Sequence, residues 1–600
     1  MKEITRRFEQ LLWEGDASDN DSAEELYRAI LPAGSSDTWY WGDVDYTDKT
    51  MSFWCTKRHL DRIKSILRAF GKARFLENGE YTKRMVGALR YWLVNDFENP
   101  NWWHNQIGVP ETLGDIAIMM RSALDDETLH RAVAIISRGS MAKNERIAEQ
   151  WTGANLMWGA LNTVRHALLT EDEPLLMRAV GKISEEITVG KRDGIQEDNS
   201  FFQHGKRLYS GGYGRSFLYG ISKLLFLING TGYQLSPEKV EIILSFVLDG
   251  VRPMVQGHSL DWSCVGREIT RPDALDVGLI KTALEILLSA EKLPRKDELK
   301  AFLESIQGGE QPTLTKYFDK ACMLCHHFNG IYVGAKFLGD ELLGAEICIG
   351  EGALCYNMSY GTQTCIMRGG DEYFNIAPVW DYSRIPGTTS LIETDEQLLA
   401  RKGWGSRPLP NQCFGGKQQG GRAVIYELAE HDGIKMLAAD FAFEDGFVCL
   451  GVEVEPQDAE RDEFVTTVDQ CLVQSEVLFE DDSILHNGIR YTSLQNTHIS
   501  SAVETKRGSW RRNNGGLPED TVSADVLTLS IYHSEKSKCQ YAYMISSADM
   551  PTPRVEVLQN DSATQAIRLP DGSVMAVFHR ADVLLVGDKK ILGNAGDILC

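Results

Sequence analysis

The sequence predicts an α+β multidomain chain in which helical hairpins precede antiparallel β-sandwich layers. Its 600 residues exceed what one hydrophobic core supports. Apolar residues recur at helical spacing before about residue 310 and alternate after about residue 330. A run of helices followed by a run of strands is typical of two domains of different class. We therefore expect a helical domain at 1–320, a central antiparallel β-sandwich at 330–547 and a short C-terminal β domain at 548–600.

The helical half is predicted from apolar periodicity and from capping residues. Five apolar side chains of 59–70 lie on one helical face. Ser236 followed by Pro237 is typical of a helix start, and Gly230 of a helix stop. The predicted helices are 59–70, 82–97, 113–123, 128–137, 153–169, 175–187, 216–228, 237–248, 274–289 and 296–306. Short connections between them indicate stacked hairpins, either a bundle or a toroid.

The second half is predicted as strands joined by tight turns. Residues 447–454 alternate, which places Val448, Leu450, Val452 and Val454 on one face. The other predicted strands are 526–532, 539–545, 555–558, 574–578 and 583–586. The dipeptides Asp445-Gly446, Gly415-Gly416 and Asn487-Gly488 are predicted turns.

Composition narrows the class of function. A formal net charge of −23 argues against nucleic acid as a partner, and a polyanionic substrate would need a local basic cleft. No run of 18 apolar residues predicts a membrane span. The N-terminus lacks an apolar signal region, so we expect a cytoplasmic protein as the sequence stands, or a secreted one if an export signal has been removed. Oligomeric state is not predicted.

Twelve scattered cysteines favour reduced thiols. Cys322-Met-Leu-Cys325-His326 matches the pattern of c-type haem attachment once. We interpret it instead as two thiols at helix ends and a histidine. No sequence feature requires a metal or another cofactor.

The strongest chemical signal is the segment 193–214, DGIQEDNSFFQHGKRLYSGGYG. It places His204 nine residues before Tyr213, with four glycines crowding the tyrosine end. Glycine permits positive φ and the close approach of a bulky partner. An imidazole and a phenol in such a loop indicate proton transfer on a large substrate. The alternative is a solvated connector with a capping histidine and a packed tyrosine.

Three other segments carry candidate binding groups. Adjacent Trp102 and Trp103 do not both face one core, so at least one exposed indole is expected to stack on a sugar ring. Asn155 lies in the first turn of a helix that begins after Thr152, where the helix dipole favours an anion. The third segment holds Arg267 and Arg271, four residues apart, which together suit a carboxylate or sulfate. A structural asparagine and surface ion pairs are the alternatives.

These segments together resemble polysaccharide lyase family 8, which contains chondroitin AC, hyaluronate and xanthan lyases; the gellan-type lyases are also similar. The resemblance rests on NWWHNQIGVPETLGD, TGAN, the segment 193–214 and GREITRP, in this order. It continues in EYFNIAPVWDYSRIPGTT at 372–389. It implies an (α/α) toroid of helical hairpins followed by antiparallel β-sandwiches. It also implies an acidic polysaccharide as substrate.

The resemblance also implies roles for individual residues. It makes Tyr213, rather than Tyr209, the catalytic tyrosine, and His204 its partner. Asn155 would bind the uronate carboxylate, and a glutamate near the start of the strand half, best matched by Glu351, would join the site. The complete sets implied are catalytic Tyr213, His204, Asn155, Arg267, Arg271 and Glu351, and substrate-binding Trp102, Trp103, Asn101, Gln203 and Tyr209.

The expected reaction is β-elimination across C4–C5 of a uronate, which yields an unsaturated product. Either Tyr213 or His204 would remove the C5 proton, and Arg267 nearby would favour the phenolate form of the tyrosine. One alternative is a helical-toroid glycoside hydrolase that uses paired carboxylates such as Asp193, Glu197 and Asp198. Another is a non-catalytic glycan-binding protein. The sequence does not distinguish which uronate polymer is cut, or endo from exo action.

Overall fold

The computed structural model describes residues 1–14, 20–34, 37–339, 341–401, 411–432, 434–456, 464–533 and 539–600. The chain divides into two compact units. The first unit comprises Met1–Thr188, Ser216–Ile243 and Glu285–Pro294; the second comprises Val189–Arg215, Leu244–Leu284 and Arg295–Cys600. The predicted domain boundaries near 320 and 548 stay a prediction.

Helices dominate the described chain up to residue 306. They are α1 (Lys2–Glu14), α2 (Asn20–Arg28), α3 (Arg58–Glu77), α4 (Gly79–Asn95), α5 (Val109–Met119), α6 (Asp126–Ile136), α7 (Arg146–Glu149), α8 (Gly153–Thr170), α9 (Glu173–Glu186), α10 (Arg215–Ile228), α11 (Pro237–Ser245), α12 (Gly278–Ser289) and α13 (Lys296–Ile306). A further short helix, α14 (Asp395–Ala400), lies in the second half. Nine of the ten predicted helices are confirmed to within four residues at each end, and the predicted helix 59–70 extends to Glu77 in α3. The helices α1, α2, α7 and α14 were not predicted.

In the first unit, apolar stripes and one buried ion network hold helices together. One apolar stripe of α8 is buried and consists of Leu156, Ala160, Leu161, Val164 and Leu168. The carboxylate of Asp115 on α5 accepts hydrogen bonds from Arg165 Nε on α8 at 2.7 Å and from Lys64 Nζ on α3 at 2.5 Å. Burial alone would raise the pKa of Asp115, but the charges of Arg165 and Lys64 bring it far below its usual value. Three helices therefore share one satisfied buried charge.

The strands of the described chain pair in antiparallel fashion. The short strands are β1 (Ile30–Pro32), β2 (Trp39–Trp41), β3 (Gly194–Ile195), β4 (Phe201–Phe202), β5 (Val255–Gln256) and β6 (Ser259–Leu260). The next are β7 (Leu314–Phe318), β8 (Met323–Phe328), β9 (Ile331–Lys336), β10 (Gln363–Met367), β11 (Thr389–Leu391), β12 (Asn411–Gln419), β13 (Arg422–His431), β14 (Ile434–Phe443), β15 (Gly446–Pro456), β16 (Phe464–Leu472) and β17 (Leu478–Glu480). The last are β18 (Ser483–His486), β19 (Ile489–Ser493), β20 (Ser500–Gly508), β21 (Val522–His533), β22 (Cys539–Ser547), β23 (Glu556–Asn560), β24 (Thr564–Arg568), β25 (Val574–Phe578), β26 (Asp582–Val586), β27 (Lys589–Gly593) and β28 (Ile598–Leu599).

The sheets of the second unit pack in layers. An eight-stranded sheet has the order β12-β13-β14-β15-β22-β19-β18-β17, and four-stranded sheets are formed by β10-β9-β8-β7, β11-β16-β21-β20 and β23-β24-β25-β28. One apolar cluster joins the face of the eight-stranded sheet to β24 and β25; Val448 and Leu450, which alternation predicted to face inward, belong to it. This face-to-face packing is a β-sandwich.

Of the three predicted turns, Asn487-Gly488 is confirmed, and Asp445-Gly446 lies one residue late, because the turn is formed by residues 444 and 445 and Gly446 pairs with Phe443. Asn487 and Gly488 both have positive φ between β18 and β19, and Asp445 directly precedes β15 in a hairpin. The prediction for Gly415-Gly416 is wrong, because both glycines lie inside β12. A β-carbon on Gly415 would lie 2.7 Å from the Tyr426 ring, so glycine admits an aromatic ring here.

The interpretation of Cys322 and Cys325 as helix-end thiols is also wrong. Cys325 and His326 are buried in β8, and Cys322 immediately precedes that strand. The His326 ring lies 2.9 Å from Phe443 O through Nε2 and 3.0 Å from Thr315 Oγ1 through Nδ1. Both ring nitrogens therefore have structural partners.

Candidate active site

The loop that carries His204 and Tyr213 is shaped by hairpin pairing and by glycine. Strands β3 and β4 pair, and Tyr209 N then donates to Phe201 O at 2.8 Å. His204 and Gly205 both have positive φ, at 59° and 88°. Residues 210–214 form one π-helical turn that leads into α10. This turn buries the Tyr213 ring, while the His204 side chain stays 31% exposed.

Two short 3-10 helices, Trp262–Cys264 and Gly266–Thr270, position the arginines. Gly266 has a φ of 58°, and a β-carbon there would lie 2.2 Å from the Tyr209 ring. A larger residue at 266 would therefore push Arg267 away from the two tyrosines.

Glu346 lies at the centre of a cluster formed with His204, Tyr209, Arg207 and Arg267. Its Oε1 lies 2.7 Å from His204 Nδ1, and its Oε2 accepts a hydrogen bond from the Tyr209 hydroxyl at 2.8 Å. Arg267 Nη1 also donates to Oε2, and Arg207 Nη1 lies 3.7 Å from Oε1. Sequence reasoning missed Glu346, because His204 and Glu346 lie 142 positions apart and no spacing links them.

Glu351, the predicted glutamate, binds both predicted arginines. Arg271 holds it in a two-pronged contact, with Nε 3.1 Å from Oε1 and Nη2 2.9 Å from Oε2. Arg267 Nε donates to Oε2 at 3.0 Å, and the buried Asn514 amide donates to Oε1 at 3.3 Å. The structure thus brings Arg267, Arg271 and Glu351 together.

Tyr213 faces both the histidine and the arginine. Arg267 Nη2 donates to the Tyr213 hydroxyl at 3.3 Å. The His204 and Tyr213 rings lie edge to face, with centroids 4.9 Å apart, and the Tyr209 ring lies 5.0 Å from that of Tyr213 on another side. One guanidinium, one imidazole and two phenols therefore share one small volume.

The protonation states follow from burial and charge. Burial raises the pKa of Tyr213, and the charge and hydrogen bond of Arg267 only partly oppose it, so the phenol is neutral at rest. Burial alone would raise the pKa of Glu346, but the His204 hydrogen bond and the Arg267 charge bring it well below its usual value. The protonation states of Tyr213 and Glu346 therefore both depend on Arg267. The pKa of Arg267 is itself raised above its usual value.

The formal charge of the cluster is slightly positive. Arg207, Arg215, Arg267 and Arg271 face Glu268, Glu346 and Glu351, which leaves one positive charge before His204 is counted. A chain with a net charge of −23 therefore offers a local cationic site. Among the described residues, no group of three or more His, Cys, Asp or Glu side chains could hold a metal ion.

Known proteins share this sequence and architecture. The N-terminal α-helical domain of polysaccharide lyase family 8 matches residues 2–308, and the super-sandwich domain of the same family matches residues 313–551. The chain belongs to polysaccharide lyase family 8.

Individual family members extend the match. Chondroitinase-AC from Pedobacter heparinus is 28% identical over 95% of this chain and 84% of its own length. Hyaluronate lyase from Thermasporomyces composti is 22% identical over 93% of this chain and 80% of its own length. A solved chondroitinase AC lyase, studied as oligosaccharide complexes, superposes with a TM-score of 0.87 at 26% identity, covering all of this chain and 91% of its own.

The family 8 match confirms the predicted fold class, a helical toroid followed by antiparallel β-sandwiches. It also confirms that the protein is an enzyme, a polysaccharide lyase. No helix in the described ranges has the length and apolar character needed to span a bilayer.

The other predicted site residues of this lyase are Gln203, Asn155, Asn101 and the two tryptophans. Gln203 is buried next to His204, and its amide donates to Asp193 Oδ2 at 3.4 Å. Asn155, Asn101 and both tryptophans belong to the first unit. Trp102 is 43% exposed and its ring lies 5.3 Å from that of Trp151, which confirms one exposed indole.

The helix start that carries Asn155 differs from the simple expectation. Thr152 holds the N-cap position but makes no capping bond with its side chain. Gly153 N instead donates to the carboxylate of Glu186 at 2.5 Å. Asn101 caps its own turn, accepting from Trp103 N at 3.1 Å and donating to Met51 O at 2.9 Å. The roles of these residues in substrate binding stay predictions.

Proposed function

We propose that this lyase cleaves uronate-containing, glycosaminoglycan-type polysaccharides by β-elimination, with Tyr213 as the proton-transfer residue. The observation that carries the proposal is the hydrogen bond from Arg267 to the Tyr213 hydroxyl, within ring contact of His204. The similarity to a chondroitinase and a hyaluronate lyase supports the substrate class. A phenol held by a guanidinium is suited to lose and regain one proton.

In the substrate, the reaction breaks the C5–H and C4–O4 bonds and forms the C4–C5 double bond and an O4–H bond. Tyr213, as the phenolate, takes the C5 proton of the uronate; the electron pair of the C5–H bond forms the C4–C5 double bond, and the C4–O4 bond breaks. Tyr213 then returns the proton to the leaving O4. Arg267 stabilises the phenolate, and Asn155 would hydrogen-bond the uronate carboxylate, whose negative charge increases as the C5 proton leaves.

The hydrolase alternative fits the cluster less well. A glycosidase needs one carboxylic acid kept protonated and one carboxylate opposite it. Glu346 and Glu351 both bind arginines, and the pKa of Glu346 is well below its usual value. Of the acids considered from sequence, Asp193 accepts from Gly205 N at 2.8 Å and Asp198 from Lys320 N at 2.8 Å. The carboxylates of Asp193 and Asp198 therefore accept hydrogen bonds from backbone N–H groups.

The first test is Tyr213→Phe. We expect turnover of a susceptible uronate polymer to fall by about 10²–10⁴-fold, because general acid–base catalysis has that magnitude. The ultraviolet absorbance of the unsaturated product measures it. Substrate affinity should stay close to wild type, because the variant keeps the aromatic ring. The melting temperature should fall less than in Tyr209→Phe, because the Tyr213 hydroxyl accepts only a long bond, of 3.3 Å, from Arg267 Nη2. Wild-type rates in this variant would contradict the role of Tyr213.

Tyr209→Phe is the matched variant. The Tyr209 hydroxyl donates to Glu346 and accepts from Arg267 N, so its loss leaves two buried groups short of a partner. We expect a loss of about 1–3 kcal/mol in the free energy of unfolding and a smaller loss of turnover than for Tyr213→Phe. The reverse order of the two turnover losses would move the catalytic role to Tyr209.

The pH profile is a second, independent readout. Burial raises the pKa of Tyr213, so the phenolate fraction, and with it kcat/KM, should rise with pH through the neutral and mildly alkaline range. A flat or falling profile over the same range would contradict proton removal by the Tyr213 phenolate.

A further inference from the structure

We propose that Arg192 forms a subsite for an oxyanionic substituent of the polysaccharide, above all a sulfate ester, beside the catalytic loop. This inference rests on the proposed function, because it assigns a part of the substrate to a side chain next to His204. The competing source of the same chemistry is the carboxylate of a neighbouring uronate.

The position of Arg192 is fixed relative to His204. A β-carbon on Gly205, the residue after His204, would lie 3.6 Å from Arg192 Nη2 and 3.8 Å from Arg192 Nε. The carboxylate of Asp193, the residue after Arg192, accepts a hydrogen bond from Gly205 N at 2.8 Å. The guanidinium therefore lies against the backbone of the catalytic loop.

Arg192 has no carboxylate within ion-pair distance among the residues that the structure describes. Carboxylates do pair with five cations nearby in the loop and the cluster, namely Lys206, Arg207, Arg215, Arg267 and Arg271. Arg192 is exposed and makes no hydrogen bond or ion pair with any residue in the described ranges. A substrate anion would reach it without displacing a protein carboxylate.

The chemistry of guanidinium suits this role. Its planar fork binds the paired oxygens of a sulfate or carboxylate with two parallel hydrogen bonds, and its hydration is weaker than that of an ammonium group. In a chain of net charge −23, an unpaired cation beside a lyase site is a contact that a polyanion would use. Arg192 would thereby set the preference among uronate polymers that share one backbone chemistry.

The experiment compares kcat/KM for hyaluronan, unsulfated chondroitin and sulfated chondroitin, using wild type, Arg192→Ala, Arg192→Lys and the control Lys206→Ala. We expect Arg192→Ala to lower kcat/KM on the sulfated polymer by about 3- to 10-fold, the size of an exposed charge-assisted contact. Unsulfated polymers should change less, Arg192→Lys should be intermediate, and Lys206→Ala should leave the ratio between polymers unchanged.

Each outcome decides the proposal. An equal loss on all three polymers, with an unchanged melting temperature, supports the subsite with a uronate carboxylate as its ligand. No loss on any polymer, or a loss accompanied by a lower melting temperature, overturns it. If wild type releases no unsaturated product from any polymer, the proposed function fails instead. Calorimetric binding of sulfated chondroitin to wild type and Arg192→Ala would still decide the subsite.

Discussion

Arg267 shows how one buried cation can organise several chemical groups. Its three guanidinium nitrogens are shared among Glu346, Glu351 and the hydroxyls of Tyr209 and Tyr213. A buried charge is tolerated only when it is paired and hydrogen-bonded, and this pairing also fixes the positions of its partners. Removing Glu346 or Glu351 would leave part of this buried positive charge uncompensated.

Arg271→Lys tests whether geometry or charge matters at the second arginine. Lysine keeps the charge but loses the two-pronged contact with Glu351. We expect kcat/KM of Arg271→Lys to fall by about 10-fold. The matched variant Arg215→Lys, whose wild-type guanidinium donates to Glu268 at 3.3 Å, should change kcat/KM less. Steady-state kinetics on one polymer measures both. Wild-type kinetics in Arg271→Lys would show that charge alone is enough.

The sequence predicted His204 and Tyr213, which belong to one motif, but it did not predict Glu346, which is brought to His204 only by folding. His204 and Tyr213 lie nine positions apart in one loop, so their proximity was predictable. Glu346 and Glu351 precede a region of strands in a segment without a distinctive pattern, and only the structure shows that Glu346 is the acid that reaches His204. Tertiary proximity across 142 positions has no local signal.

At the level of elements, strands β13 and β14 carry an unusual pair of buried acids. Glu427 and Asp440 lie on neighbouring paired strands, and burial raises the pKa of each to about 8. Asp440 adds to the rise at Glu427. Alternation predicts that strands exist, but not that a carboxyl replaces an apolar residue on an inward face. The turn predicted at Gly415-Gly416 was wrong for a related reason. The sequence does not show that the Tyr426 ring packs against Gly415 within β12.

These acids predict a pH dependence of stability. The unfolded chain releases their protons near pH 4, whereas the folded chain holds them to about pH 8, so the free energy of unfolding should fall as pH rises between these values. We expect Glu427→Gln to flatten this dependence in thermal denaturation from pH 5 to pH 8. Glu430→Gln, on the same strand, should not. An unchanged slope in Glu427→Gln would contradict the assignment.

For the whole molecule, the contrast between global and local charge governs encounter with substrate. The chain has a net charge of −23, yet the catalytic cluster is cationic. Long-range repulsion of a polyanion is screened within about 10 Å at 0.1 M salt, whereas contacts inside the site are screened much less. Composition predicted the need for a local basic site but not its location.

Ionic strength should therefore act on binding in two stages. Between very low and about 0.1 M salt, KM should fall as repulsion from the acidic surface is screened; at higher salt it should rise as contacts with exposed cations such as Arg192 weaken. We expect kcat to change little, because the reacting groups are buried. Measuring both constants on one polymer from 10 mM to 500 mM salt checks this. If KM only falls or only rises over this range of salt, the two-stage prediction is wrong, and either surface repulsion or attraction by the exposed cations dominates throughout.

The carboxylate of Glu186 at the start of α8 has a consequence for product release. Because Glu186 already binds Gly153 N, part of the partial positive charge of that helix end is neutralised before any ligand arrives. If Asn155 holds the uronate there, it does so mainly as an uncharged amide. Such an anchor would hold a negatively charged product fragment more weakly than a cationic side chain would, which favours release of the product.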